Sequence, residues 1–268
     1  MKTVAIVSSV GGAGRTTLTA ALAGLLASRQ HAVLAVECDP RNVLALHFGQ
    51  RDAASHGLVA HLMAPTGARV DSALQTDDGI LLLPWGGARD GDRGPDSDTA
   101  AAVATRLQRE PRWLSDLLTG VDLASNGVAL IDTATWPSVH AAQALTAADL
   151  VLVALPLDPL ACATLPRLRH ELAASGKEHR FVANAVLPTR QLHTDILALL
   201  SPVLGASLLP YRIHADTSVP EALARNEDFC RASLHSQTAH DLQGLASWLS
   251  AWVTHTTDTA AVVRGGVT

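Results

Sequence analysis

The chain has 268 residues, of which 48% are hydrophobic and 17% are charged. This composition supports one or two packed domains and excludes a mostly disordered chain. The 20 basic and 25 acidic residues give a net charge of −5. They form no basic cluster of the kind that tracks a phosphate backbone, so we expect no nucleic-acid partner. No apolar stretch is long enough to span a bilayer, and the run Val4–Val7 is too short for a signal segment, so we expect a cytoplasmic protein.

The N-terminal segment predicts a βαβ unit. Thr3–Val7 is a largely β-branched run and predicts a strand, while Thr16–Ser28, rich in Ala and Leu, predicts the crossover helix. Ala32–Val36 predicts the second strand, and Pro40 ends it soon afterwards. Because both strands are apolar throughout rather than alternating, they fit a parallel sheet that is covered on both faces.

The alternation of strand and helix continues along the chain. Apolar runs predict strands at Ile80–Leu83, Val128–Ile131, Leu150–Ala154, Phe181–Val186 and Ser207–Leu209, and helical patterns lie at 97–118, 137–147, 160–175, 191–200 and 217–226. We therefore predict an α/β protein with a single doubly wound, mostly parallel sheet. The predicted domain covers residues 1–253. Residues 254–268 show no periodicity and are expected to form a disordered tail.

The strongest functional motif lies between the first strand and the first helix, and it reads Gly11-Gly12-Ala13-Gly14-Arg15-Thr16-Thr17. Consecutive glycines let backbone N–H groups turn inward around an anion, and the N-terminus of the next helix adds partial positive charge. Thr16 stands where the hydroxyl of a P-loop coordinates Mg²⁺. The strict P-loop pattern fails twice, since Ser9 replaces its first Gly and Arg15 its Lys. The alternative is a glycine turn that only packs helix against strand.

Two aspartates follow predicted strands. Asp39 comes soon after the second strand and precedes Pro40, and Asp132 follows the run Val128–Ile131 directly. A carboxylate at the carboxyl end of a parallel strand faces the crevice where such folds bind ligands, and there it can orient water or hold Mg²⁺. For Asp39 the alternative is a turn-forming residue before proline.

The segments VGGAGRTT, VECDP, ALIDTA and FVANAV occur in the order in which the deviant Walker A ATPases of the ParA/MinD type carry their motifs. Over about residues 1–230 the chain resembles this family, which implies a SIMIBI-type P-loop fold, ATP and Mg²⁺ as cofactors, and a homodimer that encloses nucleotide. The resemblance implies that Asp39 is the catalytic, water-positioning carboxylate and that the metal lies at Thr16, Asp39 and Asp132. It assigns nucleotide binding to Gly11, Gly12, Ala13, Gly14, Arg15, Thr16, Thr17, Asn184 and Pro210.

A narrower resemblance lies in Leu208–Ala224, which reads LLPYRIHADTSVPEALA, and in the Trp-containing last helix. Both are similar to the BcsQ-like family of cellulose synthase operons. This resemblance implies an ATP-binding dimeric switch or scaffold for the inner-membrane cellulose synthesis and secretion complex. The implied partners are a second copy and accessory proteins of that operon, through which the chain reaches the membrane only indirectly. Two alternatives stay open: a ParA/MinD-like positioning ATPase that cycles by hydrolysis, and a catalytically dead nucleotide-binding scaffold.

Two departures from the ParA/MinD pattern bear on hydrolysis. Val10 stands where the family has a signature Lys that crosses the dimer interface, and a valine cannot reach a partner's phosphates. Arg15 keeps a positive charge at the β- and γ-phosphates, but its planar fork aims its donors differently from an ammonium group. The sequence therefore leaves enzymatic activity open, with retained nucleotide binding and slow or absent hydrolysis as the expected outcome.

Overall fold

In a computed structural model, which describes residues 1–64, 72–87, 95–227, 229–233 and 235–265, eight strands form one sheet. The strands are β1 (Lys2–Val7), β2 (Val33–Cys38), β3 (Leu74–Gln75), β4 (Leu81–Leu83), β5 (Val128–Thr133), β6 (Leu150–Pro156), β7 (Glu178–Val186) and β8 (Leu208–His214). Their order is β3-β4-β2-β5-β1-β6-β7-β8, and every pairing is parallel except that of β3 with β4. The predicted α/β fold with one mostly parallel sheet is confirmed.

The helices are α1 (Arg15–Ala27), α2 (Leu58–Met63), α3 (Ser97–Arg109), α4 (Trp113–Thr119), α5 (Val139–Ala147), α6 (Pro159–Ser175), α7 (Gln191–Leu204), α8 (Ser218–Ala224), α9 (Phe229–Ala232) and α10 (Gln237–Gly265). One difference from the sequence prediction concerns residues 97–118, which form two helices instead of one. Pro111 separates them, because proline has no N–H to donate and disfavours helical geometry in the residue before it. Glu110 accordingly leaves the helical region at φ −117° and ψ 72°.

The sheet reverses its winding at β1. This strand pairs with β5 on one side and with β6 on the other. The chain passes from β1 to β2 on the β5 side, and later through β6, β7 and β8 on the opposite side. In open parallel sheets the crevice at such a reversal, outside the carboxyl ends of the strands, is the usual ligand site. The glycine-rich segment follows β1 directly and therefore lies at this crevice.

The last helix packs against the domain. Its apolar residues at helical spacing, Leu242, Leu245 and Leu249, are fully buried, and α10 contacts both α1 and β8. The helix continues to Gly265, so the predicted domain boundary at residue 253 lies inside a helix. Residues 266–268 lie outside the described part of the chain, and a separate tail over 254–268 stays a prediction. Among the described residues, no helix is both long and apolar enough to cross a membrane.

Candidate nucleotide site

The glycine loop, residues 8–14, forms an open cradle at the start of α1. Gly12 and Gly14 have φ values of +70° and +80°, a conformation that side-chain-bearing residues rarely adopt. No side chain in the described chain caps α1, and the first helical amide to bond within the helix is that of Leu18, which donates to the Gly14 carbonyl. A Cβ added at Gly11 or Gly12 would meet no described atom within 4 Å. The loop therefore offers unpaired N–H groups around an open space, which is the geometry of an anion site.

Arg15 is turned into the protein. Its Nε donates to the Thr133 carbonyl at 2.8 Å, Nη1 to the Val10 carbonyl at 2.8 Å and Nη2 to the Thr135 hydroxyl at 2.9 Å. The residue is only 3% exposed, and this burial lowers the pKa of Arg15. Arg15 thus ties the glycine loop to the segment after β5, although each terminal nitrogen keeps a second N–H for a ligand. Val10 supports this tie through its carbonyl, while its own side chain is buried.

Asp132 is the most informative side chain of the site. It lies in β5 with no exposed surface, and neither of its carboxylate oxygens has a hydrogen-bond partner among the described residues. Burial raises the pKa of Asp132 to about 7, while the nearby Thr16 hydroxyl and Arg15 act in the opposite direction. A buried carboxylate without a partner is costly. A cation bound between Asp132 and Thr16 would supply the missing partner, as the sequence predicts.

Glu37 is a functional candidate that the sequence prediction of site residues did not include. It lies opposite Asp132 in the parallel pairing of β2 with β5. Its Oε1 accepts from the backbone N–H groups of Val43 at 2.5 Å and Leu44 at 2.8 Å. Burial, and then the charge of Asp132, raise the pKa of Glu37 to about 8. A charged residue within an otherwise apolar strand was the available signal, because such residues are almost never fully buried unless they are paired.

Asp39 lies one residue beyond β2 and is 3% exposed. Arg41 binds it closely: Nη2 and Nε donate to Oδ2 at 2.7 and 3.0 Å, and the backbone N–H of Arg41 donates to Oδ1 at 3.0 Å. The structure thus brings Asp39 and Asp132 to the same edge of the sheet. Burial lowers the pKa of Arg15, and the charges of Asp132 and Asp39 both act to raise it. In the described chain, no group of three or more His, Cys, Asp or Glu side chains is arranged to hold a metal unaided.

A pocket of about 200 Å³ adjoins the glycine loop. It is lined on one side by Gly12, Gly14 and Thr17, and on the other by Asn184 and residues 213–216. The Asn184 Nδ2 donates to the Ala13 carbonyl at 2.7 Å, so Asn184 connects the loop to the pocket. A Cβ on Gly14 would lie 2.4 Å from the same Nδ2.

The structure places Pro210 apart from this pocket. Pro210 is exposed, and the lining that β8 contributes begins at Ile213. The register explains the difference, because Ala183 and Val186 of β7 pair with Arg212 and His214 of β8. The level of Asn184 therefore corresponds to the end of β8 and not to its beginning, where Pro210 lies. The sequence assigned Pro210 to the pocket because backbone register is not readable from an apolar run.

A larger cleft, of about 610 Å³, has no lining residue in common with the glycine loop. Asp77, Asp78 and Glu227 contribute to its wall. Carboxylates at these positions would repel a phosphate. The chemistry of the lining therefore favours the smaller pocket as the nucleotide site.

Comparison with known proteins identifies the family. A family model described as cellulose biosynthesis protein BcsQ matches residues 1–249. The chain belongs to the BcsQ family. This confirms the narrower resemblance, which rested on Leu208–Ala224 and the last helix. No curated protein matches the sequence.

Solved structures similar to this BcsQ-family chain share its fold at low sequence identity. The cell division ATPase MinD from Pyrococcus furiosus has a TM-score of 0.72 at 22% identity, over 94% of this chain and 99% of that one. An ATP complex of McdA from Cyanothece has a TM-score of 0.73 at 17% identity, over 93% and 96%. Cobyrinic acid a,c-diamide synthase from Mycobacterium smegmatis, with an ATP analogue and magnesium, has a TM-score of 0.71 at 19% identity, over 94% and 96%. The chain therefore has the P-loop fold of ParA/MinD-type ATPases.

Proposed function

We propose that this BcsQ-family chain binds ATP with Mg²⁺ at the glycine loop, and that nucleotide holds two copies together as a switch or scaffold for bacterial cellulose synthesis. The observation that carries the proposal is Asp132, whose fully buried carboxylate is approached by the Thr16 hydroxyl at the start of α1 and forms no well-formed hydrogen bond with any described residue. A glycine turn with a purely structural role would not need a buried, unsatisfied carboxylate beside it.

Different residues of the site would bind the phosphates and the Mg²⁺ ion. Backbone N–H groups of residues 11–17 and the N-terminus of α1 would hold the phosphates. Thr16 and Asp132 would hold Mg²⁺, with Asp39 close by. Magnesium in nucleotide sites takes one or two carboxylates and completes its shell with phosphate oxygens and water. The described residues hold no group of three or more metal-binding side chains, which agrees with a Mg²⁺ ion that takes most of its ligands from phosphate and water. Bound Mg²⁺ would supply charge neutralisation for the phosphates.

The pocket beside the loop is suited to a base. Ile213, Val219 and Leu242 give it apolar walls, and Asn184 provides a polar contact at its mouth. Pockets for small cofactors combine such walls with a few placed polar groups. ATP is supported as the nucleotide by similar structures that contain it or its relatives, among them MinD from Pyrococcus horikoshii with Mg-ADP.

The cellulose assignment rests on the family description. We infer partners among the other proteins of a cellulose synthase operon, a cytoplasmic location and contact with the inner membrane only through those partners. We also infer that the domain proper covers residues 1–253 and that 254–268 lie outside it, with 254–265 continuing α10 as helix.

A ParA/MinD-like positioning ATPase is the second candidate. The specific observation in its favour is that Asp39 and Asp132 are both present at the crevice, as a hydrolytic site would require. Val10 and the inward-turned Arg15 weigh against fast turnover. Phosphate release by the purified chain distinguishes the two candidates.

Titration calorimetry with ATP, in Mg²⁺ and again in EDTA, tests the proposal. We expect micromolar-class binding that requires Mg²⁺ in the wild type, and weaker binding in Asp132→Asn that is the same in Mg²⁺ and in EDTA. The matched control is Asp116→Asn, which neutralises an exposed aspartate on α4 and should bind as the wild type does. No heat with ATP, together with no nucleotide retained through purification, would contradict the proposal.

A further inference from the structure

Three carboxylates crowd the carboxyl ends of β2 and β5. Glu37 and Asp132 have no exposed surface, and the Asp39 side chain is 4% exposed. Their charges affect one another: Asp132 raises the pKa of Glu37, and Asp39 raises the pKa of Asp132. A buried carboxylate either takes up a proton or pairs with a cation. The hydrogen bonds of Arg15 go to two carbonyls and a hydroxyl, and Asp39 is paired with a different cation.

Arg41 supplies that charge and takes up most of the bonding capacity of Asp39. Two of its guanidinium N–H groups bind Oδ2 and its backbone N–H binds Oδ1. A carboxylate has about four acceptor positions, so three of them are in use. Asp132 and Glu37 add to the attraction, since both raise the pKa of Arg41. With Arg41 in this position, Asp39 has little capacity left for a metal ion or a water.

Arg41 is nevertheless able to leave. Its side chain is 56% exposed, whereas that of Asp39 is 4% exposed. The guanidinium can therefore move into solvent, where it is well hydrated. Asp39 cannot follow, and it would need another cation at once. A buried, unpartnered second carboxylate, Asp132, stands near Asp39 and marks where a divalent cation would bind.

We propose that Arg41 and a divalent cation compete for the Asp39 carboxylate, so that Arg41 sets the affinity of the Mg²⁺ site. The inference rests on the proposed function for the role of Asp39 and Asp132 as Mg²⁺ ligands. Arg41 acts through Asp39: it holds the carboxylate until Mg²⁺ replaces it. A positive charge that stayed on Asp39 would also weaken metal binding by repulsion, so movement of the Arg41 side chain when the metal binds distinguishes competition from repulsion.

The test is a titration of the full chain with Mn²⁺ alone, followed by electron paramagnetic resonance at constant ionic strength. We expect Arg41→Gln to bind Mn²⁺ about tenfold more tightly than the wild type, the effect of one neighbouring charge at contact distance. Arg41→Lys should lie between them, because an ammonium keeps the charge but not the fork. Arg112→Gln removes an equally positive, exposed group just before α4 and should match the wild type.

A second measurement follows Arg41 directly. In the ¹⁵N spectrum, the Arg41 Nε–H signal is identified by its absence in Arg41→Gln. We expect Mg²⁺ to shift or broaden this signal in the wild type, and not in Asp132→Asn. Circular dichroism confirms that each variant is folded.

Equal Mn²⁺ affinity in the wild type and Arg41→Gln would overturn the proposal. So would the same gain in Mn²⁺ affinity in Arg112→Gln, or an Arg41 Nε–H signal that does not change when Mg²⁺ is added. Calorimetry with ATP keeps the two hypotheses apart. A chain that gains Mn²⁺ affinity on Arg41→Gln but binds no ATP retains the competition and loses the proposed function. A chain that binds Mg²⁺–ATP, and whose Mn²⁺ affinity is the same in the wild type and Arg41→Gln, retains the proposed function and loses the competition.

Discussion

Arg15, in the first turn of α1, donates from Nη2 to the Thr135 hydroxyl at 2.9 Å and so joins the glycine loop to the segment after β5. The two residues are far apart in sequence, and two carbonyls, those of Val10 and Thr133, complete the set of acceptors. Arg15 is therefore a structural tie of the site as well as a charge beside it. Loss of this side chain should affect folding in addition to binding.

Arg15→Lys tests this double role. A lysine keeps the charge, but its single nitrogen cannot reach the three separate acceptors that Nε, Nη1 and Nη2 bind, so we expect the free energy of unfolding to fall by about 1–3 kcal/mol. Urea denaturation measures it, with exposed Arg112→Lys as the control, expected within about 0.5 kcal/mol of the wild type. Arg15→Ala should also weaken ATP binding by roughly 1.5–3 kcal/mol, the contribution of a charged hydrogen bond. An Arg15→Lys chain that unfolds at the wild-type urea concentration would show that the tie has no structural role.

Gly14→Val should abolish nucleotide binding. Gly14 has a φ of +80°, and a Cβ there would lie 2.4 Å from Asn184 Nδ2, so both the loop and the base pocket must move. Calorimetry with Mg²⁺–ATP gives the affinity, and the melting temperature shows whether the variant folds. Gly120→Ala is the matched control, because Gly120 ends α4 at a φ of −83° and should bind as the wild type does. Retained affinity in Gly14→Val would mean that the loop does not hold the phosphates.

The sequence predicts the sheet and the edge at which the site lies, for reasons that are local. Continuous apolar runs specify buried parallel strands, and glycines followed by Thr16 specify an anion loop. Asp132 is predictable because it ends such a run. The direction of Arg15, by contrast, depends on Thr133 and Thr135, which only the β1–β5 pairing brings close. The placement of Pro210 away from the pocket likewise depends on register between β7 and β8, which no local pattern encodes.

His47 should make the chain sensitive to acid. Burial lowers its pKa to about 4, whereas an unfolded histidine titrates near 6.5. Between these values the unfolded chain binds a proton that the native chain does not, so stability is full above about pH 6.5 and falls as pH decreases. We expect a loss of about 2 kcal/mol between roughly pH 7 and pH 5 from this residue. His47→Asn should reduce the loss in urea denaturation at the two pH values, and exposed His56→Asn should not. Identical pH profiles for His47→Asn and the wild type would contradict this.

Membrane contact should require a partner. The apolar residues of α10 are already used, since Leu242, Leu245 and Leu249 are buried and Trp252 Nε1 donates to Glu178 Oε2 at 3.0 Å. Sequence residues 232–263 contain no Lys or Arg to pair with anionic lipid. In flotation with anionic liposomes, the purified chain should stay at the bottom of the gradient, as should a chain that ends at residue 253. Flotation of the full chain alone would show direct binding.

Asp39 decides between a hydrolytic switch and a static scaffold. If its carboxylate positions water, Asp39→Asn should lower the Mg²⁺ affinity, keep ATP bound at saturating Mg²⁺ through Thr16 and Asp132, and trap the dimer, which light scattering with and without ATP detects. We expect wild-type phosphate release to be slow or absent, so the effect of Asp39→Asn on hydrolysis must be measured in a variant with faster ATP turnover. Val10→Lys with Arg15→Lys recreates the ParA/MinD motif and should raise turnover. Adding Asp39→Asn to that pair should remove the gain, while adding Asp116→Asn should not. If Asp39→Asn changes neither phosphate release nor dimer lifetime in either background, Asp39 is a turn residue paired with Arg41, and nucleotide serves only the structure of a scaffold.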